Sequence, residues 1–216
     1  MVEHWTLNPG VVGSNPIGAI FIMKKHLAKT WDKWYKKGVK WDSNKPSKNI
    51  IKFKEYLRKK DRILDLGCGQ GRDVIYLAKL GFDSYGIDIS KVAIKKIKKR
   101  CGAKNLHAFV GNSEKLPFEN NFFDAVYCGW VLEYTNIKKS ISEIERVVKK
   151  YGIVYLVFWL NSKLIKTGKI NYTSKEKEIM PHINKFKLLK KEKYYVLNSN
   201  KKSPRKSKIL VLILKK

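Results

Sequence analysis

The chain has 216 residues, 44% of them hydrophobic, so it can bury a core without disulfides or a structural metal. Its longest uninterrupted apolar run, Ile153–Leu160, is far shorter than the roughly 20 residues of a membrane-spanning helix. A net charge of +29 would attract nucleic acid, but 41 of the 47 basic residues are lysine, an excess that A/T-rich codons also produce, so we discount it as a sign of an RNA partner.

Residues 1–22 differ in composition from the rest of the chain. They contain no lysine or arginine, whereas the residues after them contain all 47. The run Gly13-Ser14-Asn15-Pro16 can be encoded by GGT-TCG-AAT-CCC, which looks like the T-arm of a transfer RNA gene. We interpret 1–22 as a non-native or disordered extension ahead of a start at Met23, and 23–216 as the folded domain. A genuine flexible arm is the alternative.

From Met23 onward, strand and helix patterns alternate. Ser47 is predicted to cap a helix that buries Ile50 and Phe53. Short apolar runs predict strands at 62–66, 84–89, 106–110, 123–128 and 153–158. Helical periodicity predicts helices at 73–80, 91–100 and 136–151. Two further strands, 186–197 and 209–214, flank a basic turn around Ser203-Pro204. The pattern indicates a mostly parallel α/β sheet with an antiparallel C-terminal hairpin.

Three glycines follow the first predicted strand, in the run ILDLGCGQGRD at 63–73. Gly67, Gly69 and Gly71 allow a tight turn and let a ligand lie against bare backbone. A dinucleotide fingerprint needs its last glycine three residues after the second, and this chain has Arg72 there. The spacing therefore favours a cofactor without a pyrophosphate.

An acidic residue, Asp88, ends the second predicted strand, 21 residues beyond Gly67. A carboxylate there can accept hydrogen bonds from both ribose hydroxyls of an adenosyl group. At this point the sequence resembles the class I S-adenosylmethionine-dependent methyltransferases. Asp65 and the glycines match their first motif, and Asp88 matches their ribose acid. The resemblance implies a Rossmann-like three-layer sandwich with a seven-stranded sheet, and S-adenosyl-L-methionine as cofactor.

The segment GNSEKLPFENNFFDAVYCGWVLEY, Gly111–Tyr134, resembles the part of that family that holds adenine. An acid usually stands where this chain has Asn112, whose side-chain oxygen can still accept a hydrogen bond from the adenine amine. The cofactor-binding residues so implied are Asp65, Gly67, Cys68, Gly69, Gly71, Asp88, Ile89, Asn112, Ser113 and Cys128. A Rossmann-like domain that uses the glycines only as a turn is the alternative.

The end of the fourth predicted strand excludes two kinds of methylating enzyme. Tyr127-Cys128-Gly129-Trp130 contains neither the Asn-Pro-Pro-aromatic nor the Asp-Pro-Pro-aromatic motif of enzymes that methylate base amines. Cys128 lacks the preceding proline of the cytosine C5 nucleophile, so we interpret its side chain as a small buried group. Methyl transfer is an in-line displacement in which the protein positions the acceptor, so we predict no particular catalytic residue.

The leader TWDKWYKKGVKWDSNKPS resembles that of small methyltransferases of the tellurite-resistance and thiopurine groups. That resemblance implies that Trp34 and Tyr35 help to close the site. That Trp31, Trp34 and Trp41 only pack a helix onto the sheet is equally open. The predicted acceptor-side residues follow the fourth strand, where open α/β sheets bind ligands. They are Trp130, Glu133 and Tyr134.

The favoured partner is a small-molecule methyl acceptor in a cytoplasmic enzyme, with no membrane association. An RNA methyltransferase that holds phosphate with the basic segment Lys185–Lys208 is the runner-up. A non-catalytic protein that binds the cofactor or nucleic acid is the third hypothesis. The three cysteines and four histidines show no metal-ligand spacing, so we predict no metal. The sequence predicts no oligomeric state.

Overall fold

The computed structural model describes residues 27–38, 45–160, 175–198 and 205–216. Within these ranges the helices α1 to α6 span Leu27–Lys37, Lys48–Lys54, Arg72–Lys79, Lys91–Arg100, Ile137–Val147 and Glu176–Ile179. The strands β1 to β7 span Arg62–Leu66, Asp83–Asp88, Leu106–Val110, Phe123–Gly129, Val148–Leu160, Lys187–Asn198 and Arg205–Lys215. Short 3₁₀ turns occupy Leu132–Tyr134 and Met180–His182.

The strands form one sheet in the order β3-β2-β1-β4-β5-β7-β6. Strands β1 to β5 pair in parallel, and β7 pairs antiparallel with both β5 and β6. The predicted mostly parallel sheet with an antiparallel C-terminal pair is confirmed. The chain runs outward from β1 to β3 and then returns to β4 on the other side of β1. The switch point of the sheet therefore lies between β1 and β4, where open α/β sheets bind ligands at the carboxyl ends of their strands.

Helices cover both faces of the sheet and make three layers. On one face, α2 buries Ile50 and Phe53 in a cluster that includes Tyr127 of β4. On the other face, α5 buries Ile144 in a cluster that includes Val126. Because successive residues of a strand point to opposite faces and both faces are covered, β4 is apolar from Ala125 to Cys128 and β5 from Ile153 to Leu160. The buried sheet leaves only the strand ends and the loops that follow them for binding.

Side-chain caps define the starts of three helices. Ser47, Ser90 and Asn136 each accept a hydrogen bond from the backbone amide three residues later, at 3.0–3.2 Å. These polar side chains satisfy amides that have no partner within the helix. The predicted cap at Ser47 is confirmed, and α4 spans the predicted residues 91–100.

The prediction of one helix over 136–151 is wrong. Helix α5 ends at Val147, and β5 begins at the fully buried Val148, which pairs with Phe123 of β4. Tyr151 has a φ of 66°, and its amide donates to the Lys216 carbonyl at 2.7 Å. No proline or glycine interrupts the helical pattern before Gly152. Pairing with distant strands, rather than a local signal, therefore ends the helix.

Smaller differences concern strand ends. Strand β2 is Asp83–Asp88 rather than 84–89, and β7 begins at Arg205 rather than 209. Among the described residues, β7 pairs with β5 from Lys208 onward and with β6 from Arg205 onward. The first residues of β7, Arg205 to Lys208, are polar, so the apolar pattern gives no signal for this part of the strand.

Several predictions lie outside the described residues. They concern the extension 1–22 with the start at Met23, Trp41, and the turn around Ser203-Pro204. They stay predictions. Among the helices of the described ranges, none is long and apolar enough to cross a membrane.

Candidate active site

The loop after β1 depends on left-handed backbone at its glycines. Gly67, Gly69 and Gly71 have φ values of 74°, 55° and 90°, which side chains rarely tolerate. The start of the loop is bonded to β2, because the amides of Gly67 and Cys68 donate to the Ile87 carbonyl at 2.7 and 3.1 Å. The Gly71 amide at its end donates to the Cys68 carbonyl at 3.0 Å. The glycine spacing read from the sequence therefore forms a rigid loop between β1 and α3.

The three glycines face different neighbours. A Cβ at Gly67 would lie 2.1 Å from Cγ2 of Val131, and one at Gly71 would lie 2.7 Å from a methylene of Ile97. A Cβ at Gly69 would lie 3.0 Å from the Tyr35 hydroxyl. The outer glycines thus allow close packing within the protein. Gly69 alone of the three faces the leader helix α1.

Asp88 joins the glycine loop to the end of β2. Its Oδ2 accepts a hydrogen bond from the Gly69 amide at 2.9 Å, and its Oδ1 accepts one from the Ser90 amide at 2.8 Å. Burial raises the pKa of Asp88 to about 6, against the lowering effect of these two bonds. Each carboxylate oxygen can accept a further bond, so two ribose hydroxyls remain compatible with this arrangement. Ile89, the next residue, is partly buried.

Asp65, at the end of β1, is 3% exposed. Burial and the nearby Asp73 raise its pKa well above the usual range, while Arg72 and the Val74 amide oppose the rise. Asp73 itself pairs with Arg72 at 2.9 Å and accepts from the Ser47 amide at 2.8 Å. These acids tie the start of α3 to β1 and to α2.

The cysteines predicted at the cofactor have buried side chains. The Cys68 sulfur packs against Gly86 of β2, where an added Cβ would lie 2.9 Å from it. Cys128 is 1% exposed in the cluster on the α5 face of the sheet. Burial raises the pKa of both thiols well above the usual range. Only the backbone of Cys68 therefore belongs to the glycine loop, and Cys128 has the interior position expected of a small strand residue.

The predicted adenine segment turns between β3 and β4. The exposed Asn112 accepts a hydrogen bond from the Glu114 amide at 2.9 Å through the same oxygen that was assigned to adenine. That oxygen keeps a second lone pair, so the bond to adenine is still possible. The buried Ser113 hydroxyl lies 3.0 Å from the Ser140 hydroxyl of α5. The Ser113 side chain therefore holds the predicted adenine segment to α5 and points away from the glycine loop.

Helix α1 lies against the glycine loop and α4. The Ser90 hydroxyl donates to Asp32 at 2.5 Å, the Val92 amide donates to the same carboxylate oxygen at 3.1 Å, and Lys96 donates to the Tyr35 carbonyl at 2.5 Å. Asp32 therefore caps the same helix start as Ser90. We call these three contacts the α1 latch.

The aromatic residues of α1 have unequal positions. Tyr35 is 7% exposed and faces Gly69, whereas Trp34 is 48% exposed. Trp31 stacks on Tyr35 with ring centroids 5.7 Å apart and meets the edge of Tyr134 at 5.4 Å. The leader thus bridges the glycine loop and the turn after β4, an arrangement that favours the closing role over simple packing on the sheet.

The turn after β4, residues 130–134, differs from the rest of the site. Trp130 has a φ of 58°, and its amide donates to the Val157 carbonyl at 2.9 Å. Glu133 Oε1 accepts from the Trp159 amide at 2.7 Å. The other carboxylate oxygen, Oε2, and the Trp130 indole nitrogen are buried without a hydrogen-bond partner among the described residues. Burial raises the pKa of Glu133 to about 7.

Comparison with known proteins shows which part of the chain has relatives. Residues 64–156, from β1 to the middle of β5, match the family described as Methyltransferase domain. This stretch is similar to S-adenosylmethionine-dependent methyltransferases. S-adenosyl-L-methionine is the cofactor of these methyltransferases. The glycine loop, Asp88 and the turn after β4 all lie within the matched stretch.

The curated relatives resemble part of this chain. The demethylmenaquinone methyltransferase of Symbiobacterium thermophilum is 31% identical over 131 residues, which cover 56% of this chain and 47% of that protein. The chain spans about half the length of the curated relatives it matches, with 54% and 48% of two Methanocaldococcus jannaschii proteins covered.

Solved structures share the fold of this chain. A SAM-dependent methyltransferase from Methanosarcina mazei has a TM-score of 0.63 at 22% identity, covering 79% of this chain and 98% of that one. TehB from Haemophilus influenzae has a TM-score of 0.67 at 16% identity, covering 86% of this chain and 67% of that one. At these identities the likeness shows a common fold.

The structure brings together the glycine loop, Asp88, Tyr35 and the turn after β4. It leaves the side chains of Ser113 and Cys128 in the interior. Sequence reasoning missed Asp32 of the α1 latch and Val131, which packs on Gly67. The position of Asp32, an acid between the tryptophans of the leader, was a signal that could have found it. No local signal marks Val131.

Proposed function

We propose that this protein transfers a methyl group from S-adenosyl-L-methionine to a small-molecule acceptor at the carboxyl ends of β1 and β4. The observation that carries the proposal is the left-handed glycine loop held by Asp88 beside the switch point of the sheet. The residues fit the cofactor, because a buried carboxylate, backbone of glycine and a polar turn at Asn112 meet at one edge.

In this proposal, the protein positions the acceptor and the cofactor, and the cofactor itself activates the methyl group. The sulfonium supplies a methyl group that is already electrophilic. Asp88 would accept from the ribose hydroxyls, the loop 67–71 would lie along the cofactor, and Asn112 would accept from the adenine amine. Tyr35 and Trp31 would exclude water from the reacting atoms, and the turn after β4 would orient the acceptor.

Two features support a small acceptor. The α1 latch holds aromatic side chains across the strand ends, so the site is covered on the side that faces Gly69. The name of the Symbiobacterium relative, demethylmenaquinone methyltransferase, indicates a small molecule as its acceptor. A covered site lined by aromatic rings suits a compact apolar molecule better than a polymer.

Labelled methyl incorporation tests the proposal. The protein is incubated with S-adenosyl-L-methionine that carries a labelled methyl group and with a fractionated cell extract. Label is expected in the small-molecule fraction, and the variant Asp88→Ala should abolish it. Label in RNA would overturn the small-molecule acceptor, and cofactor binding without any transfer would overturn the methyltransferase activity itself.

The RNA alternative has less support. Of the lysines in β6, three form ion pairs with glutamates: Lys190 with Glu192, and Lys191 and Lys193 with Glu176. Such pairs reduce the positive charge offered to phosphate. The predicted turn lysines, Lys201 and Lys202, lie outside the described residues.

Salt separates the two acceptors. Binding through several single-strand phosphate contacts weakens with a slope of roughly −0.7 per contact. We expect RNA binding that vanishes by physiological salt, and cofactor affinity almost unchanged by salt. Replacing the hairpin residues Lys201, Lys202, Arg205, Lys206 and Lys208 with Gln should remove the residual RNA binding and leave turnover intact. Tight binding of a structured RNA at physiological salt, with methylation lost in that variant, would contradict the small-molecule choice.

A further inference from the structure

The turn after β4 holds two buried polar atoms that the protein itself does not use. Glu133 Oε2 and the Trp130 indole nitrogen have no hydrogen-bond partner among the described residues. A buried acceptor or donor left without a partner is unfavourable by about 1–3 kcal/mol, and more when the group is charged. Native proteins keep such groups mainly where a ligand, ion or water completes them. One of the two atoms accepts a hydrogen bond and the other donates one.

These atoms lie beside the proposed cofactor site. Within the turn that carries them, Val131 packs against Gly67 and Tyr134 meets Trp31 of α1. The preceding strand β4 pairs with β1, with Cys128 opposite Leu66. The turn is therefore on the opposite side of the switch point from Asp88, which is the side left for an acceptor.

The backbone fixes the orientation of the Glu133 carboxyl. The Trp159 amide at the end of β5 donates to Oε1 at 2.7 Å, so Oε2 is held in place without being occupied. Among the described residues, no cation forms an ion pair with the Glu133 carboxyl. From β4 the Cys128 thiol faces it, with a pKa that burial raises well above the usual range. From β5 it meets a backbone amide.

Burial raises the pKa of Glu133 to about 7, so the carboxyl can accept a proton at neutral pH. Efficient proton transfer needs a donor whose pKa is not far above that of the base. Aromatic hydroxyls meet this requirement, because a phenol such as the tyrosine side chain has a pKa of about 10. The rings of Trp130 and Trp159 lie with centroids 6.0 Å apart, and Trp159 also supplies the backbone amide that binds Glu133, so flat apolar surfaces belong to the same part of the site.

We propose that Glu133 is the general base for an aromatic hydroxyl acceptor, which the Trp130 indole N–H orients by donating to the same oxygen. The proposal rests on the methyl transfer proposed above. The acceptor O–H bond breaks and its proton passes to Oε2. The electron pair on oxygen forms the new O–C bond to the transferred methyl, and the pair of the broken S–C bond stays on sulfur.

The test uses Glu133→Gln, since an amide oxygen can still accept from the Trp159 amide but cannot take the proton. Glu178→Gln is the matched control, because Glu178 also accepts a backbone amide, from Lys175 at 3.2 Å, and lies outside the site. The probes are phenol, 4-nitrophenol, thiophenol and aniline with labelled S-adenosyl-L-methionine. Calorimetry of cofactor binding is run on each variant.

We expect Glu133→Gln to lower kcat on phenol by at least about 100-fold, the usual contribution of a general base. The loss should be much smaller on 4-nitrophenol, which ionises near neutral pH and therefore depends far less on a base. The wild-type kcat on phenol should fall as the pH drops below about 7, because protonation removes the base. Cofactor affinity should change less than about twofold, since Glu133 lies on the acceptor side.

A second measurement does not depend on turnover. With ¹³C-labelled glutamate carboxyls, the free protein should show one signal that titrates near pH 7. It should be absent in Glu133→Gln and present in Glu178→Gln. If Glu133→Gln fails to fold, Trp130→Phe, which lacks the indole donor, should raise KM for phenol and keep the pH profile.

Equal losses of kcat on both phenols, or no carboxyl that titrates near pH 7, would overturn the assignment of Glu133. Transfer to thiophenol or aniline but not to either phenol would overturn the acceptor class and leave the proposed methyl transfer intact. Cofactor binding without transfer to these probes or to any component of the extract would overturn both.

Discussion

The two sides of the switch point differ in how far the protein satisfies its own polar groups. On the β2 side, both Asp88 oxygens accept backbone amides, and these bonds hold the glycine loop. On the β4 side, Glu133 has one oxygen bonded and one buried without a described partner, and the Trp130 indole N–H has none. The first side is assembled by the fold. The second is the side that, in our proposal, the acceptor completes.

The two buried acids, Asp88 and Glu133, also differ in their protonation at neutral pH. Burial raises both pKa values, that of Asp88 to about 6 and that of Glu133 to about 7. Amides on two sides keep Asp88 largely ionised at neutral pH, as a hydrogen-bond acceptor for hydroxyls should be. Glu133 is balanced between its two protonation states, which suits proton transfer. Two buried carboxyls at one edge of a sheet can therefore have different roles.

The largest expected effect is that of Asp88→Ala on cofactor affinity. Two charge-assisted hydrogen bonds to the ribose, about 1.5–3 kcal/mol each, correspond to at least a 100-fold loss of binding. Calorimetry measures the affinity, and circular dichroism checks the fold. Asp88→Asn, which keeps one acceptor oxygen, should lose less. Normal affinity in a folded Asp88→Ala protein would contradict the assignment of this side to the cofactor.

A pair of alanine substitutions separates the two sides by stability. Gly67→Ala places a Cβ against Val131 of the β4 side, and with the strain of a positive φ it should lower the free energy of unfolding by roughly 2–4 kcal/mol. The Cβ of Gly69→Ala meets the end of the Tyr35 side chain, so this substitution should lower the free energy of unfolding by only about 1–2 kcal/mol. Urea unfolding measures both. Equal losses would mean that Val131 can move aside.

The pH dependence of cofactor binding tests the role of Asp88 alone. Ribose hydroxyls donate to the ionised carboxylate, and the pKa of Asp88 is about 6 in the free protein. Affinity should therefore rise by roughly tenfold from pH 5 to pH 7 and level off above it. Calorimetry across this range should show a flat profile for Asp88→Asn. A profile that is flat in the wild type too would rule out Asp88 as the titrating group.

The smallest effect is expected from the α1 latch, which joins the leader to the β2 side. Asp32→Ala removes the acceptor of the Ser90 hydroxyl and the Val92 amide, so the free energy of unfolding should fall by about 1 kcal/mol. Hydrogen exchange should quicken over α1 while the sheet stays protected. Faster exchange throughout the sheet would show that the α1 latch stabilises the whole fold and not helix α1 alone.

The sequence by itself determined the features that depend on neighbouring residues. Apolar runs marked the strands, Ser47 marked a helix start, and the spacing of Gly67, Gly69 and Gly71 marked a tight turn, because each is dictated by local sterics and hydrogen bonding. These signals predicted the α/β class, the order of elements and the cofactor loop. They also placed Asp88 at the end of β2.

The tertiary structure decided the features that depend on distant partners. The helix over 136–151 ends early because Val148 and Tyr151 bond to β4 and to the chain end. The Ser113 side chain turns to α5, and Asp32 meets Ser90, 58 positions away. The pKa of Glu133 is high only because packing removes water from it. Burial and long-range pairing arise when the layers assemble, so no local pattern carries them.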